Sequence, residues 1–195
     1  RLHVTKSDEI GALSRGVNSM LDTIQEHERQ LKDNGARLES MVQELFDRAH
    51  YDALTNLPNR HLLTDRLSHA IECSKRTNSQ VALLFLDLDR FKVINDSLGH
   101  PLGDRVLITV AERLKTVTRK SDSISRWGGD EFVLLLENID GDDAIQAIAN
   151  KIILALTKPL ELDGHQLHIS TCIGIATYPK DGGDPVTLLK HADIS

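Results

Sequence analysis

The sequence of 195 residues predicts an α/β protein: a mixed-sheet α/β sandwich preceded by a long N-terminal helix. Three observations predict it. The first fifty residues keep an apolar period of about 3.5 residues, whereas the remainder alternates short apolar runs of strand length with amphipathic stretches of helix length. Gly, Pro, Asn and Asp punctuate the boundaries between those stretches. The change of texture divides the chain into a stalk, residues 1–49, and a folded domain, residues 50–195.

In the stalk, Ile10, Leu13, Val17, Met20, Ile24, His27, Leu31, Asn34, Leu38, Met41 and Leu45 follow one another at alternating steps of three and four. That is a heptad seam, and a helix of this length has no second surface of its own on which to bury it. The spacing therefore predicts a homodimer through a parallel two-stranded coiled coil. His27 and Asn34 put polar groups into the seam, and a buried Asn fixes register and strand number at a cost in stability. Gly35 weakens the helix by roughly 1 kcal/mol. It is either a soft point able to transmit rotation or a tolerated imperfection.

From Tyr51 onward the periods shorten. Pro58 and Asn59 mark a turn, and Arg60 to Lys75 reads as a helix with Leu63, Leu67, Ala70 and Ile71 on one face. Val81 to Leu86 is a continuous apolar run, as expected of a buried strand. Asp104 to Val117 and Asp142 to Leu156 read as helices, Ser123 to Trp127 and Phe132 to Leu136 as strands. Leu160 to Leu162 and Gln166 to Ala176 flank Asp163-Gly164, a hairpin turn, and Pro185 to Ile194 opens a last helix.

Composition narrows the partners. A formal charge of −6 and 4% aromatic residues leave neither the cationic surplus nor the stacking platforms that nucleic acids need, so no nucleic-acid partner is expected. A mononucleotide arriving with its own cation is compatible. Cys73 and Cys172 stand far apart without metal-ligand spacing, and both read as buried small apolar residues in a reducing compartment. There is no apolar run of about 18 residues that would span a membrane.

Two acidic stretches carry the chemistry. Gly128-Gly129-Asp130-Glu131 lies between two strands, a tight turn that lets a ligand approach the backbone while crowding two carboxylates together. Asp87 and Asp89 close the first strand, and alternation sends both to one face, where they can meet the turn if the two strands are neighbours. Crowded carboxylates repel, which makes such a cluster costly without a cation. Hard oxygen donors select Mg²⁺ or Mn²⁺, and a magnesium site completed by phosphate oxygens suits nucleotidyl transfer. Taken alone, the same residues equally describe two hairpin turns with solvated acids.

Several stretches, in order, are similar to one family. Asp52-Ala53-Leu54-Thr55-Asn56-Leu57-Pro58-Asn59-Arg60, the run from Asp87 through Asn95 and His100 to Asp104, and the signature Gly128-Gly129-Asp130-Glu131-Phe132 resemble the GGDEF family of diguanylate cyclases, with Asn56 where that family has Gly. The resemblance spans Tyr51 to Ser195 and implies a nucleotidyl cyclase-like fold that condenses two GTP into cyclic di-GMP. It implies metal ligands at Asp87, the Leu88 carbonyl, Asp130 and Glu131, with Asp130 taking the proton from the ribose 3′ hydroxyl. Guanine contacts fall to Asn95 and Asp104, with His100 near the nucleotide or purely structural. Phosphate contacts fall to Phe91 and Lys92. Arg119 and Asp122 resemble the family's inhibitory product site, against a plain surface pair. Arg126 serves the same ligand or braces its strand.

The segment from Ser7 to Leu21 resembles the second helix of a HAMP domain, against the plainer reading of a capped amphipathic helix. It implies a membrane-anchored parent whose stalk and GGDEF domain face the cytoplasmic side of a bacterial inner membrane. The family's last helix carries a Tyr, an Ala-Lys pair and a Gly-Arg-Asn run beyond Lys190-His191-Ala192-Asp193, so this fragment is expected to hold GTP weakly or turn it over poorly even where the parent is active. Wording such as Tyr178-Pro179-Lys180-Asp181-Gly182 is similar to domains that precede an EAL phosphodiesterase. That leaves an alternative: a GTP-binding or cyclic di-GMP-binding regulator of such a domain.

Overall fold

The computed structural model describes residues 9–119 and 121–194. Ser7 and Asp8 of the HAMP-like segment, Lys120 inside the Arg119–Asp122 motif, and Ser195 lie outside the described residues. The chain divides into two compact units, residues up to Asp47 and Arg48–Ser195.

Helix α1 (Glu9–His50), whose 42 residues run for roughly 60 Å, makes up the described part of the first unit and ends at Arg48–His50 within the second. Its seam is open to solvent, with Ile10 75% and Leu31 71% exposed. Gly35 lies inside the helix without breaking it.

In the second unit four strands form one sheet in the order β2-β3-β1-β6, with β1 spanning Gln80–Leu88, β2 Ser123–Gly128, β3 Glu131–Ile139 and β6 Thr171–Tyr178. The predicted apolar run is the reason β1 sits inside: Ala82, Leu83, Leu84 and Leu86 have no exposed surface, and such a strand needs cover on both faces. One face is covered by α2 (Arg60–Thr77) and α6 (Pro185–Ile194), which pack Leu63, Leu67 and Leu188 on Leu83, Phe85, Val133 and Leu135. The other is covered by α4 (His100–Val117) and α5 (Asp142–Leu156), which bring Val106, Leu107, Val110 and Ile152 to Leu84, Leu86, Phe132 and Leu134. Asn59 starts α2 by accepting the amides of His61 and Leu62 on its side chain.

The α/β architecture agrees with expectation, and four details differ. The ladders β2–β3, β3–β1 and β1–β6 are all antiparallel, where a mixed sheet is predicted. The helical crossover from β1 to β2 would make those strands parallel neighbours, but β3 folds back from β2 and inserts between them. Among the described residues the parallel contact is an isolated bridge, Asn59 with Arg126. Next, the stretch Gln166–Ala176 is not one strand: β5 (His165–Leu167) pairs with β4 (Leu160–Leu162) as a separate hairpin, and β6 starts only at Thr171. That hairpin turns at Asp163-Gly164, both at positive φ, as the sequence predicts. The sequence reading also overlooks a short helix, α3 (Phe91–Leu98), and starts α4 four residues late, at Asp104 instead of His100. Finally, neither cysteine is buried. Cys73 is half-buried on α2 and Cys172 is exposed on the edge strand β6, so neither serves as core packing.

Candidate active site

The turn between β2 and β3 is the first component. Gly128 pairs with Glu131, and Gly129 takes φ +51, a left-handed conformation that favours glycine. No atom lies within 4 Å of where a Cβ would stand on Gly128 or Gly129, so the turn presents bare backbone to solvent. Asp130 and Glu131 follow immediately.

The second component arrives through register. Asp87 on β1 is the Cα partner of Glu131 on β3 and of Cys172 on β6. Directly opposed residues of an antiparallel ladder stand about 4.5–5.5 Å apart at Cα, so the strand end and the glycine turn meet as expected. Phe85, Asp87, Glu131, Cys172, Ala192 and Asp193 line a cavity of about 180 Å³ at this edge, and no Lys or Arg is among its lining residues.

The electrostatics agree. Partial burial, then the charges of Asp130, Asp89 and Asp193, push the Asp87 carboxyl above the usual carboxylate range. Burial, then Asp87, Asp193 and Asp130, push Glu131 up in the same way. Because Asp87 is exposed overall and Glu131 only half-buried, water screens much of the energetic consequence. A cluster of acids that raises the Asp87 and Glu131 carboxyls in this way fits a hard divalent cation. Among the described residues no three His, Cys, Asp or Glu side chains form a ready-made metal cage, so the oxygens of a nucleotide would have to complete the coordination.

Asp89 departs from the expected pairing. It lies one residue beyond β1, where its carboxylate accepts the Ser170 hydroxyl at 2.6 Å and the Cys172 thiol at 3.5 Å. Its amide donates to the Ser170 carbonyl. It contributes charge to the cluster while its side chain is engaged by the segment before β6.

Phe91 and Lys92 open α3 directly after this edge, at an N-terminus with no side-chain cap. Asn95 lies on the same helix, and its Oδ1 is buried with no hydrogen-bond partner. Gly103 on α4 makes room for it, since a Cβ there would collide with that oxygen. An orphaned buried acceptor is costly unless a ligand donates to it. His100 and Asp104 are both exposed on the first turns of α4.

Arg119 and Asp122 close a small turn in which the Arg119 amide donates to the Asp122 carboxylate at 2.8 Å and the Asp122 amide to the Arg119 carbonyl at 3.1 Å. They border a depression of about 330 Å³ that Arg66, Lys115 and Tyr51 also line. Sequence reasoning misses Asp193 and Asp52 as contributors to the site. Both act on residues far along the chain, Asp193 through its charge on Asp87 and Glu131, and Asp52 through an ion pair with Arg126. No local spacing signals either one.

Comparison with known proteins agrees with this geometry. The profile of the family described as "Diguanylate cyclase, GGDEF domain" matches residues 49–195. Diguanylate cyclase TpbB of Pseudomonas aeruginosa is 41% identical over 189 residues, covering 96% of this chain and 42% of that protein. The bifunctional diguanylate cyclase/cyclic di-GMP phosphodiesterase MucR of the same species is 47% identical over 152 residues, 78% of this chain and 22% of MucR. The chain thus spans less than half the length of these relatives. Among solved structures, the coiled coil and GGDEF domain of DgcB from Caulobacter crescentus, in complex with c-di-GMP, superposes with a TM-score of 0.74 at 26% identity, covering 86% of this chain and 90% of that one. The GGDEF domain of TpbB gives 0.71 at 43% identity, covering 72% of this chain and 88% of that one. From Ala49 to Ser195, with its signature turn intact, this chain belongs to the GGDEF family.

Proposed function

We propose that the domain is one half-site of a diguanylate cyclase, condensing two GTP molecules into cyclic di-GMP and releasing two pyrophosphates. One observation carries the reading: Asp87 and Glu131 oppose each other across adjacent strands beside a bare glycine turn, in a cavity that no Lys or Arg lines among the described residues. Asp87, the Leu88 carbonyl, Asp130 and Glu131 would hold Mg²⁺ or Mn²⁺, which when bound polarises phosphoryl oxygens and offsets the charge of the triphosphate. The uncapped start of α3, at Phe91 and Lys92, offers amides and a charge to phosphate. The orphaned Asn95 Oδ1 would accept from a guanine N–H, and Asp104 and His100, exposed on the first turns of α4, would contact the same nucleotide. Asp130 takes the proton of the ribose 3′ hydroxyl as that oxygen attacks the α-phosphorus of the second GTP in line and pyrophosphate departs.

Each domain holds one GTP, so two must face each other. The exposed seam of α1 supplies the pairing by forming a parallel coiled coil and raising the local concentration of one domain near its twin. Arg119 and Asp122, joined by the cationic depression beside them, form a product site that restrains turnover. No described helix is long and apolar enough to cross a membrane. A HAMP-linked, membrane-anchored parent is therefore proposed on the likeness of the stalk alone.

Incubation with GTP and Mg²⁺ tests the reading. Cyclic di-GMP and pyrophosphate should appear, and Asp130→Ala should lower the rate by roughly 10²–10⁴-fold, the usual contribution of a positioned acid or base. Equal rates from both proteins would remove Asp130 from the mechanism. A second reading is favoured by a further relative, the cyclic di-GMP phosphodiesterase NbdA, 35% identical over 178 residues: the domain binds GTP and regulates an EAL partner. GTP binding without product would select it.

A further inference from the structure

We propose that Arg126 is a positioning residue for the catalytic turn, held by Asp52 and holding the Gly129–Asp130 peptide plane. The inference rests on the diguanylate cyclase reading and adds to it a residue that touches neither nucleotide nor cation.

The guanidinium is divided between two partners. Its Nε and Nη2 donate to the Gly129 carbonyl at 3.1 and 2.8 Å. Its Nη1 donates to both carboxylate oxygens of Asp52, at 3.0 and 3.1 Å. The side chains are only 14% and 23% exposed, so this pair is less screened than an ordinary surface pair. Asp52 is itself fixed, accepting the amide and hydroxyl of Thr55 at 2.8 and 2.7 Å, while its own amide donates to the Leu57 carbonyl. The backbone of Arg126 is tied into the same loop, its amide donating to the Pro58 carbonyl at 3.0 Å.

Peptide planarity turns this grip into a constraint on the active site. The Gly129 carbonyl and the Asp130 amide belong to one rigid plane, so fixing the oxygen fixes the direction in which the chain enters Asp130 and Glu131. The turn has little else to hold it: Gly128 and Gly129 carry no side chains, and the space where their Cβ atoms would stand is empty. A glycine at φ +51 is free to leave that conformation unless something retains it. The same loop meets the end of α1, since the Asn59 amide donates to the His50 carbonyl and its side chain to the Ala49 carbonyl. Arg126 thereby connects the start of the domain to the two acids.

Two measurements on the whole chain test the proposal. Hydrogen exchange of the peptide spanning Trp127 to Phe132, followed without nucleotide, should quicken at least tenfold in Arg126→Lys and Asp52→Asn, with the melting temperature and the exchange of β1 little changed. Lys is included because it retains charge and fold but lacks a fork that reaches both partners. Steady-state kinetics with GTP and Mg²⁺ should show kcat lowered about 10- to 100-fold with KM nearly unchanged, the signature of misplaced rather than missing groups. Asp52→Asn combined with Arg126→Lys should cost no more than the worse single change, because both break one chain of contacts. Unaltered exchange at the turn, a raised KM with intact kcat, or additive losses would each overturn the proposal. Since exchange is read without GTP, a chain that makes no cyclic di-GMP would sink the enzymatic reading while leaving the role of Arg126 decidable.

Discussion

The acids at the end of β1 oppose one another when no cation is present, and that makes the site legible through stability. Asp87 has its carboxyl pushed up by partial burial and then by Asp130, Asp89 and Asp193. A carboxyl whose pKa is higher folded than unfolded binds more protons in the native state across that interval, so stability falls as pH rises through it. The penalty is absent below about pH 4, where both states are protonated, and complete above the raised value. Asp87→Asn is therefore expected to raise stability near pH 7 in a chelating buffer, by no more than about 1 kcal/mol given its exposure. Denaturant unfolding at pH 7 and pH 3.5 checks this: the gain should vanish at the lower pH, and a loss at pH 7 would show that Asp87 is favourably paired. A gentler departure appears at Asn56, which stands where the family has Gly and adopts φ +51. Asn is a residue that tolerates this left-handed turn, so the substitution keeps the loop that positions Asp52.

At the scale of elements, α1 is held by propensity and whatever covers its seam. Gly35 lies in its interior, and a Cβ there meets nothing within 4 Å. Gly35→Ala should stabilise the helix by about 0.5–1 kcal/mol, read as a rise in the thermal transition of the 222 nm signal. An unchanged or lowered transition would mean that the glycine serves a bend or a close approach. Elements with a strong period are legible in the sequence: the seam of α1, the apolar run of β1, and the face of α2 led by Leu63 and Leu67. α3 is not, because it has eight residues, buries only Phe91, and starts at Arg90 in a left-handed conformation without a side-chain cap. The break between β5 and β6 is hidden for a similar reason. His168, Ile169 and Ser170 continue an apparent alternation, yet Ser170 leaves the strand to bond Asp89. Of the candidate site, the meeting of Asp87 with the Asp130-Glu131 turn is legible in spacing because strand alternation and the glycine turn are local, while the roles of these acids rest on the family resemblance. Asp193 on α6 and the Asp52–Arg126 pair depend on how distant segments pack, which no local pattern reveals.

For the whole molecule, the proposed chemistry, which needs two GTP, would join the stalk to the site. Leu31 and Leu38 stand 71% and 62% exposed on the single helix, and in the proposed coiled coil a second copy would bury them. Each buried Leu contributes about 1.5–3 kcal/mol per chain, so Leu31→Glu should raise the dimer dissociation constant by at least a hundredfold. Sedimentation equilibrium reads the dimer, and product formed per chain should become proportional to protein concentration in the variant while staying flat in the parent above its dissociation constant. A monomeric parent with full activity would separate the stalk from catalysis.

The claim on which the account stands is that Asp87, Asp130 and Glu131 converge on a cation that carries a triphosphate. Calorimetric titration with a non-hydrolysable GTP analogue, in Mg²⁺ and again in a chelator, addresses it without requiring turnover. One nucleotide should bind per domain, binding should weaken at least tenfold in the chelator, and Glu131→Gln should bind equally poorly in both buffers. Affinity indifferent to Mg²⁺ in the unsubstituted chain would contradict it.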